Sequence, residues 1–261
     1  MASGDLTDAE WELIGPLLST ERGRPGRPGH GNRRLLDGIL WRAREGARWR
    51  AIPEPGAVRE VEHGLAPVRP LARPGRVRGG LRCPGWERRG RRAPADARQH
   101  HDPRPPACGR REGGQDEQAL GRSRGGFSTK LHLRCDAQGL PLAFVLTPGE
   151  THEARAFADL VEDLAAGTRC LIGDMGDDAD WVREELLLRG ILPVIPPNPV
   201  RKEPAPLDRE LYRLRNRVER LVSRLKQFRG VATRYDKTAE SFLAFVHLAA
   251  ARVWLRFVHM A

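Results

Sequence analysis

The sequence predicts an α/β protein, a sheet covered by helices, and three observations predict it. Phe127–Cys135 and Leu140–Thr147 alternate apolar with polar residues on either side of an Asp136-Ala-Gln-Gly139 turn, the pattern of a β-hairpin. Thr168–Asp174 is a short apolar run, 181–189 has helical spacing, and Ile191–Pro196 is a second apolar run. A strand, a helix and a strand in that order imply a parallel pair with a crossover. Finally, Leu207 to Arg229 contains neither Pro nor Gly, and Leu211, Leu214, Val218, Leu221, Val222, Leu225 and Phe228 recur at spacings of three and four. That is one apolar face of a long helix.

The elements follow in order. Leu6–Leu18 opens with a capping box, in which Thr7 caps the free amides of the first turn and Glu10 reaches back. Leu6 is placed to pack on Trp11. Asn32–Glu45 reads as a second amphipathic helix stopped at Gly46. Two short helices with Arg-rich edges suit a helix-turn-helix-like DNA-binding head, and a plain helical hairpin fits equally well. Leu120–Gly126 is a basic loop: Arg122, Arg124 and the backbone amides suit contact with phosphates, and an ordinary glycine turn has the same composition. Pro148–Asp163 reads as a helix whose first turn holds His152 and Glu153; no partner has metal-ligand spacing to them. Asp174 ends the apolar run at 168–174. That is where α/β sheets place functional groups, and equally where a helix cap would stand. Pro196–Pro206 is a stiff basic connector, and Glu240–Met260 a last helix.

The totals restrict the partners. The 261 residues carry a formal charge of +11 and an isoelectric point near 10.6, which favours a polyanion, nucleic acid first. No uninterrupted apolar run reaches the roughly 18 residues of a membrane span, and no signal core follows Met1. The four cysteines form no CxxC pair, which fits a reduced cytoplasm. An RNA-binding protein would need an aromatic platform, and the two Tyr and seven Phe recur in no such motif.

Residues 55–118 differ in character. They contain no Ser, Thr, Asn, Lys, Ile, Phe, Tyr or Met, and nine of the chain's 21 prolines. No period of 2 or 3.6 persists, so composition predicts a disordered basic linker. A linker this long inside a compact catalytic protein is itself anomalous.

The long helix carries the sharpest motif. Tyr212, Arg215, Glu219 and Lys226 lie near one line along it. On periodicity alone this is a basic helix with a solvated face. The spacing resembles, at all four positions, the Tyr–Arg–Glu–Lys signature of DDE transposases from bacterial insertion sequences. Arg234–Ala239, the apolar tail through Trp254 and the two N-terminal helices look like the same family. Asp174-Met-Gly-Asp-Asp178 resembles its second-Asp motif, usually Asp-Lys-Gly-Tyr-Asp, with Met175 and Asp177 departing from it.

The resemblance covers nearly all of the chain except 55–114. It implies a head at 1–54 and a ribonuclease H-like catalytic core at 115–261, incomplete because its first strand is disrupted. It implies Asp174 and Glu219 as catalytic, metal-binding carboxylates, Arg215 and Lys226 as DNA contacts beside Tyr212, and Mg²⁺ or Mn²⁺ as cofactor. Double-stranded DNA is the implied partner, met by a homo-oligomer without a membrane.

Family members carry a third helix and the strand bearing the first catalytic Asp where this chain has 55–114. Read one nucleotide later, codons allowed for Val61–Ala72 include Trp-Asn-Thr-Val-Trp-Arg-Arg-Phe-Val-Arg-Trp, which resembles that helix. Codons allowed for Arg98–Pro105 include Asp-Ser-Thr-Thr-Ile-Arg-Ala, which resembles that strand. Both need the same shift. The expectation is a frame-shifted segment and a transposase that lacks its first carboxylate and is inactive. The lost codon straddles Arg98 and Gln99; Asp96 and Asp102 lie nearby but are not its equivalent. The alternative is a non-catalytic DNA-binding remnant that inhibits intact copies.

Overall fold

A computed structural model describes residues 6–18, 31–52, 91–100, 118–123, 126–162, 164 and 167–260, with backbone alone at 91–100. The chain divides into two compact units, one of Met1–Arg82, Lys226–Tyr235 and Ala244–Ala261, the other of Cys83–Leu225 and Asp236–Leu243.

The first unit contains helices α1 (Asp8–Ile14) and α2 (Asn32–Glu45). The predicted capping box is present: Thr7 Oγ1 accepts from Glu10 N, and Glu10 Oε2 accepts from Thr7 N at 2.9 Å. Gly46 ends α2 in the left-handed conformation, φ 64°, which an L side chain adopts only at a cost. Leu6, Leu40 and Leu255 form a small core with Trp11, Ile14, Leu36 and Leu248 around it. The Arg42 guanidinium lies between the Trp49 and Phe245 rings, 4.2 and 4.3 Å from their centroids. Glu10 and Arg252 form a buried ion pair; burial opposes the Glu10 charge, but the hydrogen bond from Arg252 holds its carboxyl below the usual range.

The second unit holds a six-stranded sheet: β1 (Arg91–His100), β2 (Gly121–Ser123), β3 (Gly126–Cys135), β4 (Pro141–Pro148), β5 (Cys170–Ile172) and β6 (Leu192–Val194). The strand order is β2-β3-β1-β5-β6. The strand β4 lies along the same edge of β3 as β2. The predicted hairpin is β3–β4, closed by Asp136, whose Oδ1 accepts from Gln138 N and Leu140 N, and by Gly139 at φ 78°. The predicted crossover is also present. The strands β5 and β6 are parallel, joined through α4 (Asp180–Leu188). Between this pair and α3 (Phe157–Val161), Phe157, Val161, Leu171, Val182, Leu186 and Ile195 form the core.

Two expectations fail. No regular element was foreseen between 55 and 114 and the first strand was to be disrupted, yet Arg91–His100 is a strand in the middle of the sheet. Its ladder to β3 runs from Ala93↔Cys135 to His100↔Ser128 and is made by backbone groups, which the Arg content leaves intact and of which Pro94 removes one N–H. Pairing with β5 is confined to Arg91 and Arg92 and stops before Pro94, which has no N–H to donate. Ala95 and Ala97 stand opposite the buried Leu133 and Leu131, a weakly apolar alternation hidden in the composition.

The long helix is also not continuous. It divides into α5 (Arg209–Tyr212), a 3₁₀ turn at Arg213–Arg215 and α6 (Asn216–Leu225). Beyond it lie α7 (Arg229–Ala232) and α8 (Ala239–Met260). The α8 stretch Ala239–Val258 is long and apolar enough by composition to cross a bilayer, although Glu240, Arg252 and Arg256 interrupt the apolar run. Its Phe242, Val246 and Ala249 are fully buried.

Candidate active site

The site lies wholly in the second unit, where β5 ends and α6 begins. The strand β5 delivers Asp174 two residues past its last residue, as the N-cap of a 3₁₀ turn, Met175–Asp177. The turn is held reciprocally. Asp174 Oδ1 accepts from Met175 N at 2.9 Å, and Asp177 Oδ2 accepts from Asp174 N at 3.0 Å. Asp174 therefore caps the turn with one oxygen, which leaves the other for a partner outside the turn.

That second oxygen, Oδ2, accepts from Arg215 Nη2 at 2.8 Å across 41 residues of sequence. Arg215 Nη1 donates to Glu219 Oε1, one helical turn on. The two carboxylates named from the motif thus converge on one guanidinium. Arg215 is 19% exposed, Asp174 37% and Glu219 60%, so the acids face solvent more than their cation does. Tyr212 stands beside them. Burial first, then the negative charges of Asp174 and Glu219, push its hydroxyl above the ordinary value against the pull of Arg215.

Four further groups border the site. Asp177 is pushed up to about 6, first by burial, with Glu153 and Asp174 adding to the rise. Glu153 lies so close to Gly176 that a Cβ there would stand 1.6 Å from Glu153 Oε2, so any larger residue would displace the Glu153 carboxylate. Lys130 on β3 reaches Glu153 at 3.7 Å and donates to Thr151 O at 2.6 Å. His132, two residues along β3, is pushed down to about 4 by burial and by Lys130, and its Nε2 pairs with Thr147 Oγ1 at 2.8 Å. The motif reading assigns a role to none of these and takes Glu153 as a first-turn helix residue. Asp177 had a visible signal, an acid three residues after a potential cap. Nothing local distinguishes Glu153 or Lys130. His152 stands not in the first turn of a helix, the expected place, but as the N-cap of a 3₁₀ helix that begins at Glu153, accepting from Ala154 N.

The structure does not gather every named residue. Lys226 is exposed one residue past α6 and belongs to the other compact unit. Arg122, on β2, lies over the Phe127 ring at 5.6 Å. Arg124 and Asp102 lie outside the described residues. Asp96 stands on β1 at the register position opposite His132.

Among the described residues no group of three His, Cys, Asp or Glu is placed to hold a metal ion. The pair Asp174 and Glu219 nonetheless fits one hard divalent cation. Both offer carboxylate oxygens, both face solvent that would complete the coordination, and a guanidinium already stands between them as a cationic stand-in.

Comparisons with known proteins agree with the motif. The family model described as "Transposase DDE domain" matches residues 99–254, and that described as "Putative transposase of IS4/5 family" matches 6–61. A putative transposase for insertion sequence element IS6501 from Brucella ovis is 37% identical over 131 residues, half of this chain and all of that protein. An uncharacterised protein, y4sN, from Sinorhizobium fredii is 46% identical over 50 residues, 19% of this chain and 39% of that one. A cryo-EM structure of a piggyBac transposase synaptic complex with hairpin DNA matches with a TM-score of 0.41 and 11% identity, over 65% of this chain and 47% of that one. With a family model matching more than half its length and a relative matched end to end, the chain belongs to the DDE transposases of bacterial insertion sequences.

Proposed function

We propose that this chain descends from a transposase that cleaves the DNA of an insertion sequence and transfers its strands, using divalent metal ions held by Asp174 and Glu219 in a ribonuclease H-like core behind a DNA-binding head. The observation that carries this is the convergence of Asp174 and Glu219 on one guanidinium from elements 41 residues apart. A divalent ion bound there supplies the activation of water or a 3′-hydroxyl and the stabilisation of the leaving oxygen. The chain's own residues do the rest. Asp177 holds the turn that aims Asp174. The exposed, basic α6 faces a polyanion.

This copy is proposed to be inactive, because its coding sequence is shifted in frame between about residues 55 and 114 and the first catalytic Asp is lost. The two family matches leave 62–98 unmatched between them, inside the proposed segment, and enter that segment at 55–61 and from 99 onward. Sequencing the coding DNA across residues 50 to 120 tests it: absence of Asp-Ser-Thr-Thr codons in the neighbouring frame ends the proposal.

A second reading has an observation of its own. The strand β1 runs parallel to β5, with Arg91 opposite Cys170 and Arg92 opposite Leu171, so Asp96 lies on the strand beside the one that leads to Asp174. In this reading Asp96 takes the place of the first carboxylate. The experiment is cleavage and strand transfer on element-end DNA with Mg²⁺ or Mn²⁺, for the wild type, Glu219→Ala and Asp96→Asn. No cleavage is expected from the chain as written, and restoring the neighbouring frame should bring it back. Wild-type cleavage lost in both variants would overturn inactivity and favour Asp96. End-specific binding without cleavage in either frame would favour the alternative, a DNA-binding remnant that occupies element ends against intact copies.

A further inference from the structure

Arg215 stands where a cation is needed, and it is bound there imperfectly. Both arms of its fork are taken, Nη2 by Asp174 and Nη1 by Glu219, so in this pose neither arm is available to a phosphate. Its Nε is buried and has no hydrogen-bond partner among the described residues. An orphaned buried donor is costly, so a pose in which Nε is satisfied competes with this one. The guanidinium cannot give up its proton, and so can leave the acids only by moving. The charges also exclude joint occupancy: two carboxylates with Arg215 sum to −1 and with a divalent ion to neutrality. A divalent ion and Arg215 on the same oxygens would be like charges in contact.

We propose that Arg215 is an exchangeable internal counter-cation: it holds Asp174 and Glu219 together until a divalent ion displaces it, and the released guanidinium then takes a DNA phosphate. This inference rests on the reading of Asp174 and Glu219 as a metal site. Exchange makes metal and DNA binding reciprocal, because each removes a competitor of the other. A merely structural Arg215 would have the opposite consequence: its loss would scatter the two acids and weaken metal binding.

The test is Mn²⁺ binding to the purified full chain, read by the loss of the free-ion paramagnetic resonance signal, for the wild type, R215Q, R215K and E219A. E219A should lose the site. R215Q should bind Mn²⁺ about fivefold more tightly than the wild type, the scale of the partly exposed ion pairs it removes. R215K, which keeps the charge, should stay within about twofold of the wild type. Equal or weaker binding by R215Q overturns the exchange and leaves the metal site standing. Absence of Glu219-dependent Mn²⁺ binding in every variant overturns the metal site itself. A second readout does not depend on the stability of R215Q: a short DNA duplex should tighten Mn²⁺ binding to the wild type, and indifference to DNA overturns the exchange.

Discussion

Asp174 and Asp177 divide between them two tasks that one carboxylate could not perform. Asp177 is mostly buried and spends its oxygen on Asp174 N, while Asp174 keeps Oδ2 for a cation. The cost of that burial shows in the Asp177 carboxyl, which rises to about 6 from an ordinary value near 4. A folded-state pKa above the unfolded one means that the native state holds the proton more tightly. The stability it brings is complete below about pH 4 and is lost as pH rises through about 6. Asp177→Asn keeps an acceptor for Asp174 N and removes the charge. It should therefore match the wild type near pH 4 and exceed it by about 2 kcal/mol at pH 7. Thermal melts across pH 4–7 check this, and a parallel pair of curves would refute it. The motif showed Asp177 only as a departure from the family's Tyr. Its role became legible once the turn was closed around it.

At the scale of elements, Asp178 shows how one side chain sets the path of a connector. Its fully buried carboxylate accepts from Arg183 Nε at 2.8 Å, from Asn198 N at 2.6 Å and from Arg201 Nε at 3.1 Å. Burial opposes the charge, but these donors together hold its carboxyl below the usual range. Arg183 also donates to Ile195 O at 2.9 Å, so α4, β6 and the Pro-rich segment meet at this point. Asp178→Ala leaves two cations and an amide without their acceptor. It should lower the melting temperature by about 5–10 °C and loosen the connector, measurable as faster proteolysis between Pro196 and Pro206. An unchanged cleavage rate would show that prolines alone stiffen it. Local signals sufficed for most elements, because a capping box, a stop glycine and a period of two are written within a few residues. They failed at β1, where Arg and Pro dominate the composition and only neighbours on both sides make ten residues extended. They failed again at Arg213–Arg215, where an uninterrupted pattern concealed a 3₁₀ turn at the position of Arg215.

For the whole molecule, a charge of +11 makes binding to DNA an electrostatic matter. Each phosphate neutralised contributes about −0.9 to the slope of log K against log salt. Arg220 and Arg224 are exposed one turn apart on α6. Replacing both with Gln should flatten that slope by about 2 and weaken binding alike for all sequences. A titration of duplex binding against salt checks this, and an unaltered slope would place the contact elsewhere. The sequence by itself determined the α/β class, the caps and turns, and the basic character, because each is encoded by neighbours along the chain or by composition. The tertiary structure decided that Arg91–His100 becomes the central strand, that Glu153 and Lys130 border the site, and that Arg215 pairs with both acids. The physical reason is range: strand ladders and ion pairs join groups tens of residues apart, and nothing in the local sequence records which partner the fold will bring.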